Sequence, residues 1–152
     1  HVKTENQMSL NSAFESALLS HIFQNAALAY VGNASGLPAA SAAGSVFVSL
    51  HSQDPGKAAA NQSVDELDYT GYGRKPGARS AGGWTVSGGN LSNAAVITMG
   101  KNTGASQTST HFGLGFATSG ATTLYLIGTA ALTIATNVNP SFAIGELDVD
   151  IT

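Results

Sequence analysis

Cysteine is absent from the 152-residue chain, which excludes disulfide frameworks, thiolate nucleophiles and zinc sites built on Cys. Charge is scarce as well. Asp, Glu, Lys and Arg make up 10% of the residues, against about a quarter in an ordinary soluble domain. The six basic residues, Lys3, Lys57, Arg74, Lys75, Arg79 and Lys101, gather only once, at 74–79, and the net charge is −3. A face that neutralises phosphates needs many more, so nucleic acid is excluded as a partner. No apolar run approaches the roughly eighteen residues of a membrane helix, and the most apolar windows are broken by Gly, Ser and Thr, so no membrane-spanning helix is expected.

What remains is 43% apolar residues, 18 glycines and a surface that must be built from Ser, Thr, Asn, Gln, Gly and Ala. Low charge with this much apolar content argues against charge-driven disorder, and the length suits one domain. The first Met is residue 8. Residues 1–8 are therefore read as an N-terminal extension, with the residues before Met8 either following a removed upstream segment or foreign to the domain. Lys3 and Glu5 give them the pattern of neither a signal peptide nor a basic arm.

Residues 9–32 carry the clearest helical pattern. Leu10, Phe14, Leu18 and Ile22 recur every fourth residue, and Leu19, Phe23 and Ala27 widen the stripe. Ser12 followed by Glu15 fits a capping box, which places the first helical residue between 10 and 13, and Gly32 with Asn33 supplies a stop. After an Ala/Ser/Gly loop, residues 45–152 read as short alternating segments separated by turns. Val46, Val48 and Leu50 alternate with Phe47, Ser49 and His51, ahead of an Asp54-Pro55-Gly56 turn. Residues 57–68 are expected to form a long surface loop and residues 69–75 an irregular strand. Residues 83–86 and 91–99 read as strands joined by Ser87-Gly88-Gly89-Asn90. Thr110, Phe112, Leu114 and Phe116 alternate with His111, Gly113, Gly115 and Ala117, a small-residue face that calls for close approach by another layer. Residues 124–127, 131–136 and 142–151 complete seven or eight strands. The predicted fold is mainly β, an antiparallel, jelly-roll-like β-sandwich preceded by one N-terminal amphipathic helix.

No constellation of catalytic residues emerges. His1, His21, His51 and His111 lack the i, i+2 or i, i+4 spacing that builds a local site, and a His bonded to backbone is the favoured reading of His51 and His111. No Gly-x-Ser-x-Gly elbow occurs. Gly100-Lys101-Asn102-Thr103-Gly104 has Ala95 where a phosphate loop needs Gly, and reads as a turn between strands. Glu146, Asp148 and Asp150 share a strand face, but such residues diverge, so a solvated edge is expected rather than a calcium site. No catalytic residue, metal or cofactor is expected. Among aromatic residues, Tyr69, Tyr72 and Trp84 stand among glycines and suit either the core or a partner surface, as amphipathic rings do at interfaces.

The chain resembles a family of small tailed-bacteriophage virion proteins, described as tail fibre or head decoration-like structural proteins. The likeness rests on the helix from Phe14 to Phe23, on Val46-Phe47-Val48-Ser49-Leu50-His51-Ser52-Gln53-Asp54-Pro55-Gly56, and on Tyr69-Thr70-Gly71-Tyr72-Gly73-Arg74. Gly83-Trp84-Thr85-Val86, Asn93-Ala94-Ala95-Val96, Thr110-His111-Phe112-Gly113 and Pro140-Ser141-Phe142-Ala143-Ile144-Gly145 follow in order. Arg74-Lys75-Pro76-Gly77 departs from the regular apolar strand such a protein would carry there. The resemblance implies a non-catalytic virion component.

The expected role is that of a capsid decoration, or cement, protein on the capsid surface, with the major capsid protein or another virion protein as partner and further copies of itself in a homo-oligomer. Small neutral side chains are desolvated against a lattice without stranding charges. The alternative is a tail-fibre or tail-tip attachment module that binds a host receptor. Candidate interface residues are Phe14, Leu18 and Phe23 on the helix, with Tyr69, Tyr72 and Trp84.

Overall fold

In the computed structural model, which describes residues 10–59 and 61–151, helix α1 spans Ser12–Gln24. The expected N-terminal extension over residues 1–8 lies outside the described residues. The helix starts where the pattern predicts but is capped one residue earlier, with Asn11 Oδ1 accepting the Ala13 N–H at 2.9 Å in place of a Ser12 box. It also stops well before residue 32. Asn25 takes the left-handed conformation at φ 56°, and the Ala26 N–H closes back on Ser20 O at 3.1 Å. Gly32 and Asn33 belong instead to a separate turn, closed by an antiparallel bridge between Leu28 and Leu37.

The buried face of α1 is Glu15, Leu19 and Phe23, rotated from the Leu10–Phe14–Leu18–Ile22 stripe. Leu10 and Phe14 are exposed, and Leu18 is half-buried. Two long-range contacts set this rotation. Phe23 packs on Trp84 with ring centroids 6.2 Å apart, and Gln24 Nε2 donates to Trp84 O at 2.8 Å. Arg79 then holds the far end, donating to His21 O at 2.6 Å, to Ile22 O and to Asn25 Oδ1 at 3.0 Å. A guanidinium on the last-turn carbonyls satisfies orphan acceptors and opposes the negative end of the helix dipole.

Among the described residues nine strands follow: β1 Ser45–His51, β2 Lys75–Ala78, β3 Trp84–Ser87, β4 Asn90–Asn93, β5 Ile97–Thr98, β6 Gln107–Gly115, β7 Leu126–Ile134, β8 Ser141–Phe142 and β9 Asp148–Asp150. They form antiparallel sheets in the orders β2-β1-β6-β7, β3-β4-β9 and β5-β8. The arrangement is mainly β and sandwich-like, as predicted. Its sheets hold four, three and two strands, whereas a jelly roll places eight in two. The β3–β4 hairpin turns on Gly88 and Gly89, both at positive φ (58° and 85°), the conformation that tight hairpins require.

Six expected segments form differently. Residues 91–99 are not one strand but divide into β4 and β5, which belong to different sheets, because Asn93 Nδ2 turns onto Ala95 O and Ala143 O, both at 2.8 Å, and closes a bend over residues 94–96. Residues 69–74 are not strand; the strand is Lys75–Ala78, on the sheet edge, where Pro76 removes no ladder bond. Residues 124–127 and 131–136 were separable by their pattern only because β7 carries a bulge. Ser109 pairs with Leu132 and His111 with Thr129, so Ala130 and Ala131 together oppose Thr110 and break the alternation. Residues 142–151 divide into β8 and β9 around Gly145 at φ 80°. The 57–68 loop is not confined to the surface: Gln62 and Leu67 are buried, and it runs beside β1 past the end of β2, with Leu67 N–H on Leu50 O and Ser52 N–H on Asp65 O, both at 2.8 Å.

Val46, Val48, Leu50, Phe112 and Leu114 from the four-stranded sheet share one core with Leu19, Phe23, Trp84, Leu91 and Val149. Trp84 is fully buried, and a Cβ on Gly77 would stand 2.9 Å from its ring, so Gly77 keeps β2 clear of the indole. The rotation of α1 yields a test by thermal or urea unfolding. Leu19→Asp buries an unpaired carboxylate and is expected to cost about 3–5 kcal/mol. Leu18→Asp, on the half-buried flank, should cost roughly 1 kcal/mol or less. Equal losses would mean that the helix sits on the stripe read from the sequence.

Candidate functional site

Among the described residues the most connected polar side chain is Arg74, placed just before β2 and nearly inaccessible to solvent. Its Nε and Nη2 grip Glu66 Oε1 and Oε2, each at 2.7 Å, a two-pronged ion pair. Nη1 reaches Gln62 Oε1 at 3.2 Å and Ala117 O and Thr122 Oγ1 at 3.3 Å, while Nη2 also reaches Gly120 O at 2.9 Å and Ser63 Oγ at 3.2 Å. The hydrogen-bonded Glu66 carboxylate raises the Arg74 pKa against the opposing pull of burial. One guanidinium thus ties the 57–68 loop to the 117–122 connection.

The network continues into the sheet. Tyr72 Oη donates to Glu66 Oε1 at 2.8 Å and accepts the Leu50 N–H at 3.0 Å, a strand donor that β2 is too short to use. Burial pushes the Tyr72 phenol well up, and does the same to Tyr69, whose hydroxyl donates to Gly100 O at 3.0 Å. Gln62 Nε2 donates to Phe47 O at 2.9 Å and Ser49 Oγ at 3.1 Å. Ser49 Oγ stands 2.9 Å from His51 Nε2, and His51 Nδ1 stands 2.7 Å from Val64 O. A carbonyl only accepts, so Nδ1 carries the proton and Nε2 accepts from Ser49. Burial lowers the His51 pKa, which favours this neutral ring.

A Ser–His pair at hydrogen-bond distance has the form of a nucleophile and its base. Here both residues are fully buried. Gly113 and Gly115 lie against them because a Cβ on Gly113 would be 2.7 Å from His51 Nε2, and one on Gly115 would strike Gln62. That is the close approach predicted from the small-residue face, and it leaves no room for a substrate. His51 also pairs across the ladder with His111, a juxtaposition that spacing along the chain does not reveal. His111 Nδ1 bonds Thr110 Oγ1 at 2.8 Å instead of joining the network.

Among the described residues, no three His, Asp or Glu side chains gather as a metal-binding group. At the C-terminal edge, Asp148 accepts from Asn90 Nδ2 at 2.7 Å, and Asp148 and Asp150 point to solvent while Leu147 and Val149 are buried. The 100–104 segment is a turn between β5 and β6, as read, with Asn102 Nδ2 bonded to Ala105 O and Ile134 O.

The six candidate interface residues are separated by the fold. Phe23, Tyr69 and Trp84 lie in the core and present no surface to a partner. Tyr72 is half-buried with its hydroxyl turned inward, Leu18 is half-buried, and Phe14 is 41% exposed. What the sequence reading missed is the Arg74–Glu66–Gln62 cluster. It also missed a cleft of about 560 Å³ along the start of β7, lined by Asp54, Lys57, His111, Tyr125, Thr129 and Asp150 among others.

Two measurements probe the cluster. Glu66→Gln leaves the Arg74 charge buried against a neutral amide and is expected to cost about 3–5 kcal/mol in urea unfolding; a loss below about 1 kcal/mol would mean water screens the pair. His51 gives a pH dependence of known sign. Its folded pKa lies below the unfolded value of about 6.5, so the unfolded state binds the proton first and stability falls as pH drops below about 6.5. His51→Gln should flatten that slope, and an unchanged slope would place the titration elsewhere.

A scan against protein families matches residues 9–150 to the family described as Podophage GP4 fiber I protein gp80. No match was found among curated proteins. The family match covers the helix, all nine strands and the Arg74 cluster, in agreement with the resemblance read from the sequence. The chain belongs to the Podophage GP4 fiber I protein gp80 family, a family of bacteriophage virion structural proteins.

Proposed function

We propose that the protein is a non-enzymatic building block of a fibre-type virion appendage, carried on the tail. The observation that carries this reading is the match of residues 9–150 to a family described as a fibre protein. The interior chemistry supports it. Ser49, His51, Gln62, Glu66, Tyr72 and Arg74 are bonded to one another and to backbone in a packed interior, an arrangement suited to holding loops rather than turning over a substrate. Its partners on this reading are other virion proteins.

One feature favours capsid decoration as a second reading. From residue 112 to residue 145 the chain has no Asp, Glu, Lys, Arg or His, and a neutral surface of small side chains is readily desolvated against a lattice of the major capsid protein.

Antibody labelling of intact virions together with copy number per particle separates the two. The fibre reading expects label on appendages and a handful to a few dozen copies. Label spread over the shell with hundreds of copies, and saturable binding of the isolated protein to undecorated capsids, would replace it with the decoration reading.

A further inference from the structure

Ser49 and His51 alternate along β1 with the core residues Val48 and Leu50, so they face the other side of the four-stranded sheet. Residues 61–65 cover them. The one fully buried side chain of that segment is Gln62, which is polar, and its one aliphatic side chain, Val64, is half-buried. Polar contacts therefore do the holding. Gln62 N–H donates to Thr122 O at 2.7 Å, Ser63 Oγ to Gly120 O at 2.8 Å, and Ser52 N–H to Asp65 O at 2.8 Å. The remaining ties run through the sheet in one direction. Arg74 Nη1 can only donate, so Gln62 turns Oε1 to it and Nε2 to Ser49 Oγ; Ser49 passes its proton to His51 Nε2, and His51 Nδ1 donates to Val64 O.

That direction requires His51 Nε2 to accept. A proton there makes it a second donor to Ser49 Oγ and sends the Ser49 hydroxyl to Gly113 O, 3.3 Å away. It also adds a cation to the network that already holds the Arg74 guanidinium. Burial is the main force against that proton and Arg74 adds to it, while Val64 O, Glu66 and Asp65 favour it. Tyr72 Oη is turned to Glu66, and His111, across the ladder, is bonded to Thr110.

We infer that residues 61–65 are an acid-released strap: a proton taken up by His51 frees them from the sheet, while Glu66 stays on Arg74, Leu67 stays on Leu50 and the core stays closed. Release bares Ser49, His51 and the glycines of β6 to water. With the strap down, His51 titrates below its ordinary value of about 6.5, and with the strap lifted it regains that value. Below about pH 6.5 the lifted form therefore binds the proton first, and its population rises by up to about tenfold per pH unit until the closed form is protonated too. The effect is local, unlike a general loss of stability, and is the same wherever in the virion the protein sits.

Hydrogen exchange of the full chain at pH 7, 6 and 5, corrected for the intrinsic pH dependence of exchange, is the test. The Ser52 and Gln62 amides, whose bonds tie the strap to its surroundings, are expected to lose up to about tenfold in protection per pH unit below about 6.5. The Leu67 amide and those of Val48 and Leu114 in the middle of the sheet should keep theirs. His51→Gln should abolish the loss at Ser52 and Gln62, and His111→Gln should leave it in place. Constant protection at Ser52 and Gln62, an equal loss at Val48 and Leu114, or a loss that survives His51→Gln would each overturn the inference. Should His51→Gln fail to fold, the contrast between Ser52 and Val48 in the wild type decides.

Discussion

The buried ion pair between Arg74 and Glu66 is the constraint around which the irregular half of the molecule is arranged. Strands β1 and β6 pair through a continuous ladder, but the segments that flank them, 57–68, 69–74 and 117–122, have only isolated backbone bonds, such as Leu67 N–H on Leu50 O and Gln62 N–H on Thr122 O, to fix them. Arg74 converts those three segments into one unit by offering donors that only their carbonyls, hydroxyls, amide and carboxylate can satisfy together. A charge pair removed from water is weak as a source of net stability and severe as a penalty when one member is missing. Its effect is therefore on selection among loop arrangements: any arrangement that separates the two charges leaves one of them buried alone.

Arg79 plays the same part for the helix. With few charges in the chain, two of the six basic residues, buried Arg74 and half-buried Arg79, are engaged by main-chain carbonyls and side chains of other segments. The single loose basic cluster in the sequence, at 74–79, is in the folded protein two separate ties on either side of β2. Its residues face different partners, Arg74 the 57–68 loop and Arg79 the end of α1. What reads as a patch of positive charge along the chain is not one in space.

Local pattern accounts for most of the sheet. The alternation in β1 and β6, the Gly88-Gly89 hairpin and the glycine row of β6 are statements about neighbouring residues, and each formed as read. The rotation of α1 was not legible, because seven apolar residues on a broad arc leave several faces nearly equivalent, and Trp84 and Arg79, some sixty residues on, choose among them. The split of β7 into two expected strands has a local cause of a different kind, since a bulge shifts the period without ending the strand. Of the site, the histidines were read as structural, but Glu66 and Arg74 carry no signature at a spacing of eight in a loop. Their partnership appears only when β1 anchors Gln62, through Phe47 O and Ser49 Oγ, and Tyr72, through the Leu50 N–H.

The strand order has a consequence in time. β1, at the centre of the sheet, has no partner close behind it in the chain: β2 comes after a long loop, and β6 is completed only at Gly115. β4 pairs at once with β3 in a hairpin but gains its second partner, β9, only at Asp150. At ordinary rates of synthesis, about 5–20 residues per second, Val46, Val48 and Leu50 emerge from the ribosome several seconds before the strand that covers them. Closing such distant pairs is entropically slow. Residues 45–51 therefore leave the ribosome as a hydrophobic strand whose partners, β2 and β6, are still to be made, and the centre of the four-stranded sheet is covered only once Gly115 has been added.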